Sequence, residues 1–377
     1  MEGETTSGSG CFVQKSMRIV YFAHSVLNRG GDKMVLAHLG HLAGSGHEVA
    51  IRSNVVDTVF AIHPAIRIEK PSFCSKLGTL VSAALERQQA DCVIASIVPT
   101  ALLLFFRNRS RVLHFAQDDN ETVYRSHLLR FLMRSLYFWA FSVFRIPTIA
   151  VSQTLADVFE ARFSADCRVV GNGVDTGVFF PLPSVELIAA KEERKAILVL
   201  SRNDHRKGFD LARQVVALVA ASVQTSFEVW TVGEKVEWGV GFPRHRDFGN
   251  VTENALREIM SSADVFLYPS RSEGFGLMVL EAFACHCPVL TSTAISFARD
   301  NDNALVAPVS DVESLADRLE RLLVDEPLAR RIADAGYLFA QRYRLNDSQM
   351  LFESEITGLF PGTREQGATC KEVTIKK

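Results

Sequence analysis

The stretch Arg18-Ile-Val-Tyr-Phe-Ala-His24 opens the first fold unit of this chain. Its apolar run predicts a buried strand, and the loop behind it ends in Gly30-Gly31. Asp32 can cap a helix with apolar positions on one face, and His47-Glu-Val-Ala-Ile51 then returns as a strand. These segments predict a β-α-β unit, which belongs to a parallel sheet covered by helices.

The same order of apolar strand, loop and helix repeats along the chain. Further strands are predicted at 92–97, 112–116 and 148–152, and, after the linker Phe180-Pro-Leu-Pro-Ser184, at 196–201, 227–233, 264–268 and 288–292. Helical segments separate them, and three helices at 311–323, 328–343 and 347–359 close the chain. We predict an α/β fold with two Rossmann-like, doubly wound parallel-sheet domains that face a central cleft. Ligands of such sheets bind at the carboxyl ends of the strands, so the cleft is the predicted active site.

The linker sets the predicted domain boundaries. We expect an N-terminal Rossmann-like domain over residues 17–181 and a C-terminal Rossmann-like domain over residues 182–343. A helix over residues 344–360 can pack back on the first domain. Residues 1–16 and 361–377 are polar without apolar periodicity, and we predict that they are disordered.

Composition narrows the classes of function. The 377 residues carry a net charge of −2, which provides no global basic field for a nucleic-acid partner. Seven scattered cysteines predict buried thiols in a reducing compartment, and Cys285-His286-Cys287 lacks the spacing of a zinc site. No signal peptide or membrane span is apparent, because arginines and a proline interrupt the most apolar stretch, 131–151. We predict a cytoplasmic protein without a metal ion at this cysteine cluster.

One glycine-rich motif carries the strongest functional signal. Neither G-x-G-x-x-G after an opening strand nor G-x-x-x-x-G-K-[ST] occurs in the sequence. Instead, Glu273-Gly-Phe-Gly-Leu-Met-Val-Leu-Glu281 follows the strand that ends in Tyr268-Pro-Ser270. Gly274 and Gly276 permit close approach of a ligand, and the helix start offers free amides to a diphosphate. Apolar neighbours surround Glu281, which favours a binding role over a solvated helix face.

A basic loop follows the first strand of the second domain, with the sequence Ser201-Arg-Asn-Asp-His-Arg-Lys207-Gly208. Arg202 and Lys207, held at a strand end, could stabilise the charge that a departing nucleotide diphosphate gains. A solvated basic loop is the alternative interpretation. The neighbouring glycine-rich helix start favours the anion site.

Together these motifs resemble those of family 4 glycosyltransferases. The resemblance covers residues 17–360 and rests on Arg202 with Lys207-Gly208, on the pair Glu273 and Glu281, on Asn172-Gly-Val-Asp175 and on Gly30-Gly31. It implies the GT-B fold, with the acceptor bound by residues 17–181 and the nucleotide sugar by residues 182–343. It also implies a retaining transferase that needs no metal or other cofactor. The donor would be a sugar linked to UDP, GDP or dTDP.

The resemblance also implies roles for individual residues. Arg202 and Lys207 would hold the donor diphosphate, Glu273 would touch the transferred sugar, and Glu281 would bind the ribose hydroxyls. His114 matches a position where the family often has a histidine near the reacting sugar, although a histidine at a strand end is more often merely hydrogen-bonded. Further donor contacts would come from Gly30, Gly31, Gly274, Phe275, Gly276 and Leu277.

Some positions depart from the family pattern. Asp32-Lys33 stands where a glutamate usually follows the glycine pair, Ser292-Thr-Ala-Ile-Ser-Phe297 lacks a usual glycine pair, and Asn303-Ala304 replaces Asn-Gly. The segment from His114 to Tyr124 is faintly similar to rhamnosyltransferase-like members. In it, Asp118 and Asp119 would bind acceptor hydroxyls or simply cap the next helix.

The stretch 125–145 places arginines among many aromatic and aliphatic residues at helical spacing. Such a helix can bind an anionic membrane surface, which would suit a lipid-linked acceptor at the inner face of the membrane. The alternative, which we prefer at this point, is a helix packed into the core with its arginines facing water.

These observations predict transfer of a hexose or deoxyhexose to a glycan or lipid-linked acceptor, in the synthesis of a polysaccharide or glycoconjugate. The alternatives are a nucleotide-sugar epimerase, a phosphorylase on the same fold, and a non-catalytic sugar-nucleotide-binding subunit. An epimerase would convert the donor without any acceptor, and a phosphorylase would need inorganic phosphate.

Overall fold

The computed structural model describes residues 16–119, 121, 126–236, 238 and 244–360. These residues form two sheets in which all paired strands are parallel. The first sheet contains β1 (Arg18–Val26), β2 (Glu48–Val56), β3 (Arg67–Glu69), β4 (Cys92–Ala95), β5 (Val112–Ala116), β6 (Thr148–Ala150) and β7 (Cys167–Val169). The second contains β8 (Lys195–Ser201), β9 (Phe227–Gly233), β10 (His245–Asp247), β11 (Val265–Tyr268), β12 (Val289–Ser292) and β13 (Leu305–Ala307).

Both sheets are doubly wound around their first strand. The strand order is β3-β2-β1-β4-β5-β6-β7 in the first sheet and β10-β9-β8-β11-β12-β13 in the second. The order reverses between β1 and β4, and again between β8 and β11, and ligands of such sheets bind at the carboxyl ends of the strands at this point. The predicted pair of doubly wound α/β domains is confirmed.

Helices connect the strands and close the chain. In the first half they are α1 (Gly30–Gly44), α2 (Lys76–Leu85), α3 (Val98–Asn108), α4 (His127–Tyr137) and α5 (Gln153–Phe163). In the second half they are α6 (Val185–Lys191), α7 (Phe209–Ser222), α8 (Glu253–Ser262), α9 (Leu277–Ala284), α10 (Val312–Val324), α11 (Glu326–Ala340) and α12 (Leu345–Leu359). Because helices cover both faces, β4, β5, β11 and β12 are buried along their whole length, and β4 and β11 are apolar throughout.

The sequence does not predict four strands of three residues each, β3, β7, β10 and β13. All four lie at the edges of their sheets. Three residues are too few to show a strand period or a long apolar run, so pairing with a neighbouring strand decides their structure.

The first helix begins earlier than predicted. α1 starts at Gly30, so Asp32 lies inside its first turn and is not the residue that precedes the helix. The Asp32 carboxylate instead accepts a hydrogen bond from the backbone N–H of Leu27, at 3.0 Å. It thereby fixes the loop between β1 and α1.

The last helix, α12, packs against α1 of the first domain. Its Glu353 accepts hydrogen bonds from His41 at 2.9 Å and from His47 at 3.1 Å. Burial raises the pKa of Glu353, but its hydrogen bonds with His47, Ser45 and His41 outweigh burial and hold the pKa below its usual range. Gln349 adds a 2.8 Å hydrogen bond to the backbone oxygen of Ala37. The domain boundaries themselves stay a prediction.

Candidate active site

Two loops of the second domain meet where its strand order reverses, one after β8 and the other after β11. Gly208 has a φ of 70°, and a Cβ atom there would lie 2.0 Å from the backbone oxygen of Pro269. Only glycine permits this approach. The backbone N–H of Arg271 donates to the oxygen of Arg206 at 2.6 Å, so the backbone itself fixes one loop on the other.

Lys207 and Glu273 form the centre of this site. The Lys207 ammonium lies 2.8 Å from both carboxylate oxygens of Glu273. Oε1 of Glu273 also accepts from the Tyr268 hydroxyl at 2.6 Å and from Ser270 Oγ at 2.8 Å. Burial, followed by the Glu273 charge, raises the pKa of Tyr268 well above its usual value, so the phenol stays a donor. The second domain therefore holds a cation and a carboxylate in fixed positions without help from the first.

Glu281 lies about one turn into α9 and is 3 % exposed. Its partner comes from the other domain, since Lys33 of α1 places its ammonium 2.6 Å from Glu281 Oε1 and 2.5 Å from Glu253 Oε1. Burial raises the pKa of Glu281, and the Lys33 charge opposes that shift. Lys33 was noticed in the sequence only as a departure from the family pattern.

Besides Lys33, the first domain contributes backbone and a further unpredicted side chain, Gln117. A Cβ atom on Gly31 would lie 3.3 Å from Gln117 Cβ, and one on Gly30 would lie 3.9 Å from Leu277 of the second domain. A Cβ atom on Gly274 would lie only 2.0 Å from the backbone oxygen of Gln117. The amide nitrogen of Gln117 is buried without a hydrogen-bond partner among the described residues. Its position directly after β5 was the sequence signal that could have found it.

Phe275 and Gly276 connect the loop after β11 to α9, which begins at Leu277. Gly276 is the residue before the helix, and a Cβ atom there would lie 2.6 Å from the side chain of Ile295. Phe275 and Leu277 are buried, at the point where the free amides of the first turn begin. Arg202 reaches across the cleft and donates to the backbone oxygen of Asn28 at 2.9 Å.

His114 does not reach the cleft. It lies inside β5, is fully buried, and packs against the rings of Phe141 and Phe159. Its Nδ1 is 3.5 Å from Thr148 Oγ1, and Nε2 has no partner among the described residues. Burial lowers the pKa of His114 to about 3. β5 continues for two residues beyond His114, so the first residue after its carboxyl end is Gln117. The position of His114 therefore does not support contact with a sugar.

The two predicted acceptor residues point in different directions. Asp118 forms an ion pair across the cleft with Arg206 of the second domain. Burial raises the pKa of Asp118, and Arg206 opposes the shift. Asp119 turns away, pairs with Arg162 at 3.4 Å, and accepts from the N–H of Glu121 at 2.9 Å. Its geometry matches the local, structural alternative.

Within residues 16–119, 121, 126–236, 238 and 244–360, no group of three metal-binding side chains lies close enough to hold a metal ion. Cys285 and Cys287 are buried, and burial raises the pKa of both thiols. In the same part of the chain, no helix is long and apolar enough to cross a membrane. Metal independence and the cellular location stay predictions.

Comparison with known proteins identifies sequence relatives of this chain. Residues 183–339 match the family model of glycosyl transferases group 1. The lipopolysaccharide core biosynthesis glycosyltransferase LpsE of Rhizobium meliloti is 24% identical over 191 residues, which cover 48% of this chain and 54% of LpsE. The lipopolysaccharide glucosyltransferase WaaG of Escherichia coli is 28% identical over 170 residues, which cover 40% of this chain and 45% of WaaG. The matches thus span about half the length of these curated relatives.

Two solved structures share the architecture of both domains. A crystal structure of WaaG has a TM-score of 0.74 at 18% identity and covers 91% of this chain and 100% of its own. Anabaena HepE in complex with UDP-glucose has a TM-score of 0.71 at 16% identity, with 91% and 100% covered. The chain thus has the GT-B fold over both domains, and residues 183–339 of its second domain carry the sequence of glycosyl transferases group 1.

Proposed function

We propose that this protein is a retaining glycosyltransferase that moves a hexose or deoxyhexose from a nucleotide-diphosphate sugar to a glycan or lipid-linked acceptor. The observation that carries the proposal is the Lys207–Glu273 pair beside the first turn of α9. A cation and a carboxylate in fixed positions lie there together with free backbone amides of the helix, at the carboxyl ends of the strands of the second sheet. This arrangement suits a sugar diphosphate. HepE is described in complex with UDP-glucose, and LpsE and WaaG act in lipopolysaccharide synthesis, which supports both substrate classes.

The proposed donor site lies mostly on the second domain. Lys207 and Arg202 bind the diphosphate, together with amides from the segment Gly274, Phe275, Gly276 and Leu277. Glu273 accepts hydroxyl hydrogens from the transferred sugar, and Glu281 accepts those of the ribose. Gly30 and Gly31 leave room for the phosphates on the side of the first domain, because neither carries a side chain that would fill the gap.

The proposed acceptor site lies on the first domain, at the end of β5. Asp118 is the charged group there that reaches the cleft, and its pairing with Arg206 holds it in place. The Gln117 amide, buried without a partner among the described residues, offers a donor to an incoming hydroxyl or phosphate oxygen. Both residues approach the second domain only when the two domains are close together.

The proposed reaction proceeds on one face of the sugar. The bond between the anomeric carbon and the phosphate oxygen breaks, the acceptor oxygen bonds to that carbon from the same side, and the departing phosphate takes the acceptor proton. Lys207 and Arg202 stabilise the charge that develops on the phosphate. Contact between the domains at Gly274 and Gln117 excludes water, which favours transfer over hydrolysis of the donor.

Thermal unfolding in the presence of UDP, GDP, dTDP and their common sugars tests the donor site, since ligand binding raises the melting temperature by mass action. One nucleotide class should stabilise the wild type and should stabilise Glu281→Ala much less. Glu313→Ala, an exposed glutamate at the start of α10, is the matched control and should behave as wild type.

Product analysis tests the reaction. With the donor found above and a lipopolysaccharide-type acceptor, we expect a glycoside with the anomeric configuration of the donor, as measured by NMR. Conversion of the donor without an acceptor would identify an epimerase, a requirement for inorganic phosphate a phosphorylase, and tight binding without turnover a binding subunit. Each of these three results would overturn the proposal.

A further inference from the structure

Helix α4 and the π-helical turn that follows it, Phe138–Val143, expose a row of large apolar side chains. Their spacing places Leu128, Phe131, Leu132, Phe138 and Trp139 on one side, which we name the α4 apolar face. Leu128 is 67% exposed, Phe131 65% and Trp139 49%. The core interpretation preferred from the sequence is wrong for these residues, and Arg125 lies outside the described residues.

The opposite side of the same helix is the one that packs into the domain. Met133, Tyr137, Ala140 and Phe141 are buried there, with Tyr137 in ring contact with Phe141 and Phe159. A helix that is apolar on both sides normally has a partner on each. Here the described residues supply only the inner partner, which leaves the α4 apolar face in contact with solvent.

Arginine is the only charged residue type in the two chain segments that form and border this face. Residues 98–117 and 126–148 contain six arginines and no aspartate, glutamate or lysine, in a chain with a net charge of −2. Arg107 and Arg145 are exposed, and Arg107 ends α3, whose Phe106 packs on Phe144 next to the face. Exposed apolar side chains bordered by arginines, with no acidic residue among them, match a surface of anionic headgroups over hydrocarbon.

The face is joined to the acceptor side of the cleft by ion pairs. Arg134 of α4 pairs with Glu121 at 2.7 Å, and Arg162 pairs with both Glu121 and Asp119. Asp119 directly follows Asp118, which pairs with Arg206 across the cleft. The helix that carries the exposed face is therefore held by the loop that ends in the proposed acceptor site.

We propose that the α4 apolar face docks this protein on an anionic lipid bilayer. Leu128, Phe131 and Trp139 enter the boundary between headgroups and acyl chains, while the flanking arginines lie at the level of the phosphates. The membrane then lies beside the end of β5, where a lipid-linked acceptor can reach the cleft. This last step rests on the proposed function, whereas docking itself does not.

Tryptophan fluorescence provides a direct measurement. Of the three tryptophans, Trp230 and Trp238 are buried and only Trp139 is substantially exposed, so a change on adding vesicles reports on the face. We expect a blue shift and co-sedimentation with phosphatidylcholine vesicles that contain about one third phosphatidylglycerol, and much weaker binding to pure phosphatidylcholine. High salt should weaken the binding, because it screens the arginines.

Two pairs of variants separate the apolar and the charged contributions. Phe131→Ser with Trp139→Ser should reduce co-sedimentation at least about tenfold, since both side chains lose their apolar contact with the bilayer. Arg107→Gln with Arg145→Gln should reduce the preference for anionic vesicles. The matched control, Val185→Ser with Leu338→Ser, changes two equally exposed apolar residues of the second domain and should bind as wild type.

Several outcomes would overturn the proposal. No binding, with Trp139 emission already blue in buffer, would mean that another segment of the chain covers the face. A wild-type dimer that becomes a monomer in the Phe131→Ser/Trp139→Ser variant would identify a second copy as the partner. Vesicle binding needs neither donor nor acceptor, and transfer to a water-soluble acceptor should be unchanged in this variant, so a failure here differs from a failure of the proposed activity.

Discussion

The two domains share one architecture but present different edges to the cleft. In the second domain, Lys207 and Glu273 are paired with each other, and Arg206 pairs with Asp204 at 2.9 Å. In the first domain, the ion pairs of Lys33 and Asp118 among the described residues are all with side chains on the other side of the cleft. The donor side is thus organised by its own loops, whereas the acceptor side depends on the approach of its neighbour.

This difference has a consequence for dynamics and for binding. A charge held by its own domain keeps its position whether the cleft is open or closed, which limits the cost of reorganisation when a ligand arrives. A charge paired across the cleft links ligand binding to domain closure. We therefore expect substitutions on the donor side to affect chemistry most, and those on the acceptor side to affect closure and affinity.

Replacement of Lys207 tests the donor side and should have the largest effect. Lys207→Ala removes the cation that we place at the departing phosphate, and we expect kcat to fall about 10²- to 10³-fold. Glu273 keeps Tyr268 and Ser270 as donors, so the fold should persist. Initial rates of transfer measure the loss.

Lys195→Ala provides the control, since this lysine begins the same strand, β8, at the opposite edge of the sheet. It pairs with Asp264 at 3.5 Å and should leave the rate nearly unchanged. Equal losses in the two variants would show that the effect of Lys207 is structural.

A side chain at Gly274 tests the contact between the two edges. Gly274→Ala would place a Cβ atom 2.0 Å from the backbone oxygen of Gln117, so the domains must move apart. We expect kcat/KM to fall about 10- to 100-fold through incomplete closure. Small-angle scattering should detect a larger radius of gyration, and Gly44→Ala, with open space around it, should change neither quantity. An unchanged radius with full activity would contradict a closed catalytic state.

Loss of the Lys33 charge tests the cross-cleft pairing. In Lys33→Met, burial and the Glu253 charge act on Glu281 without an opposing cation, so its pKa should rise further above the usual value. The carboxylate that we assign to the ribose then takes a proton more readily, and binding of the nucleoside diphosphate should weaken about tenfold. The loss should grow as the pH falls, as measured by calorimetry.

Lys33→Arg retains the charge and should stay near wild type. Tighter binding by Lys33→Met would reverse the interpretation, because Lys33 would then compete with the donor for Glu281. Either result shows whether the first domain assists or restrains the donor site.

Replacement of His114 should have the smallest effect on activity. His114→Leu should change kcat/KM by no more than about threefold, because the side chain lies in the core and not at the cleft. A large loss of activity with an unchanged melting temperature would contradict that placement. The variant therefore tests the role near the sugar that the sequence predicts for His114 against its buried position in the structure.

The same variant has a pH signature. The pKa of His114 is about 3 in the folded protein, below its value of about 6.5 in an unfolded chain. Between these values the unfolded state holds the extra proton, so this residue destabilises the wild type as the pH falls, by up to about 1.4 kcal/mol per pH unit. His114→Leu should lose stability more slowly on acidification than wild type, and His127→Asn, at an exposed position, should not differ from it.

The second domain was predicted well because its signals are local. Strand, loop and helix follow one another within residues 195–208 and 265–284, and each loop carries its own functional residues. The first domain was predicted less well. Asp118 lies at the cleft, whereas His114 does not and Gln117 does, since the point where β5 leaves the sheet depends on its pairing with β4 and β6.

The sequence alone determined the two doubly wound sheets, their order along the chain and the residues of the loops that follow β8 and β11. Apolar periodicity and glycine positions act within a few residues, so they can be read without coordinates. The tertiary structure decided which charges meet across the cleft, the burial of His114 and the exposure of the α4 apolar face. These depend on contacts between segments far apart in the chain, and a helix with apolar residues on two sides does not reveal by its sequence which side the domain will cover.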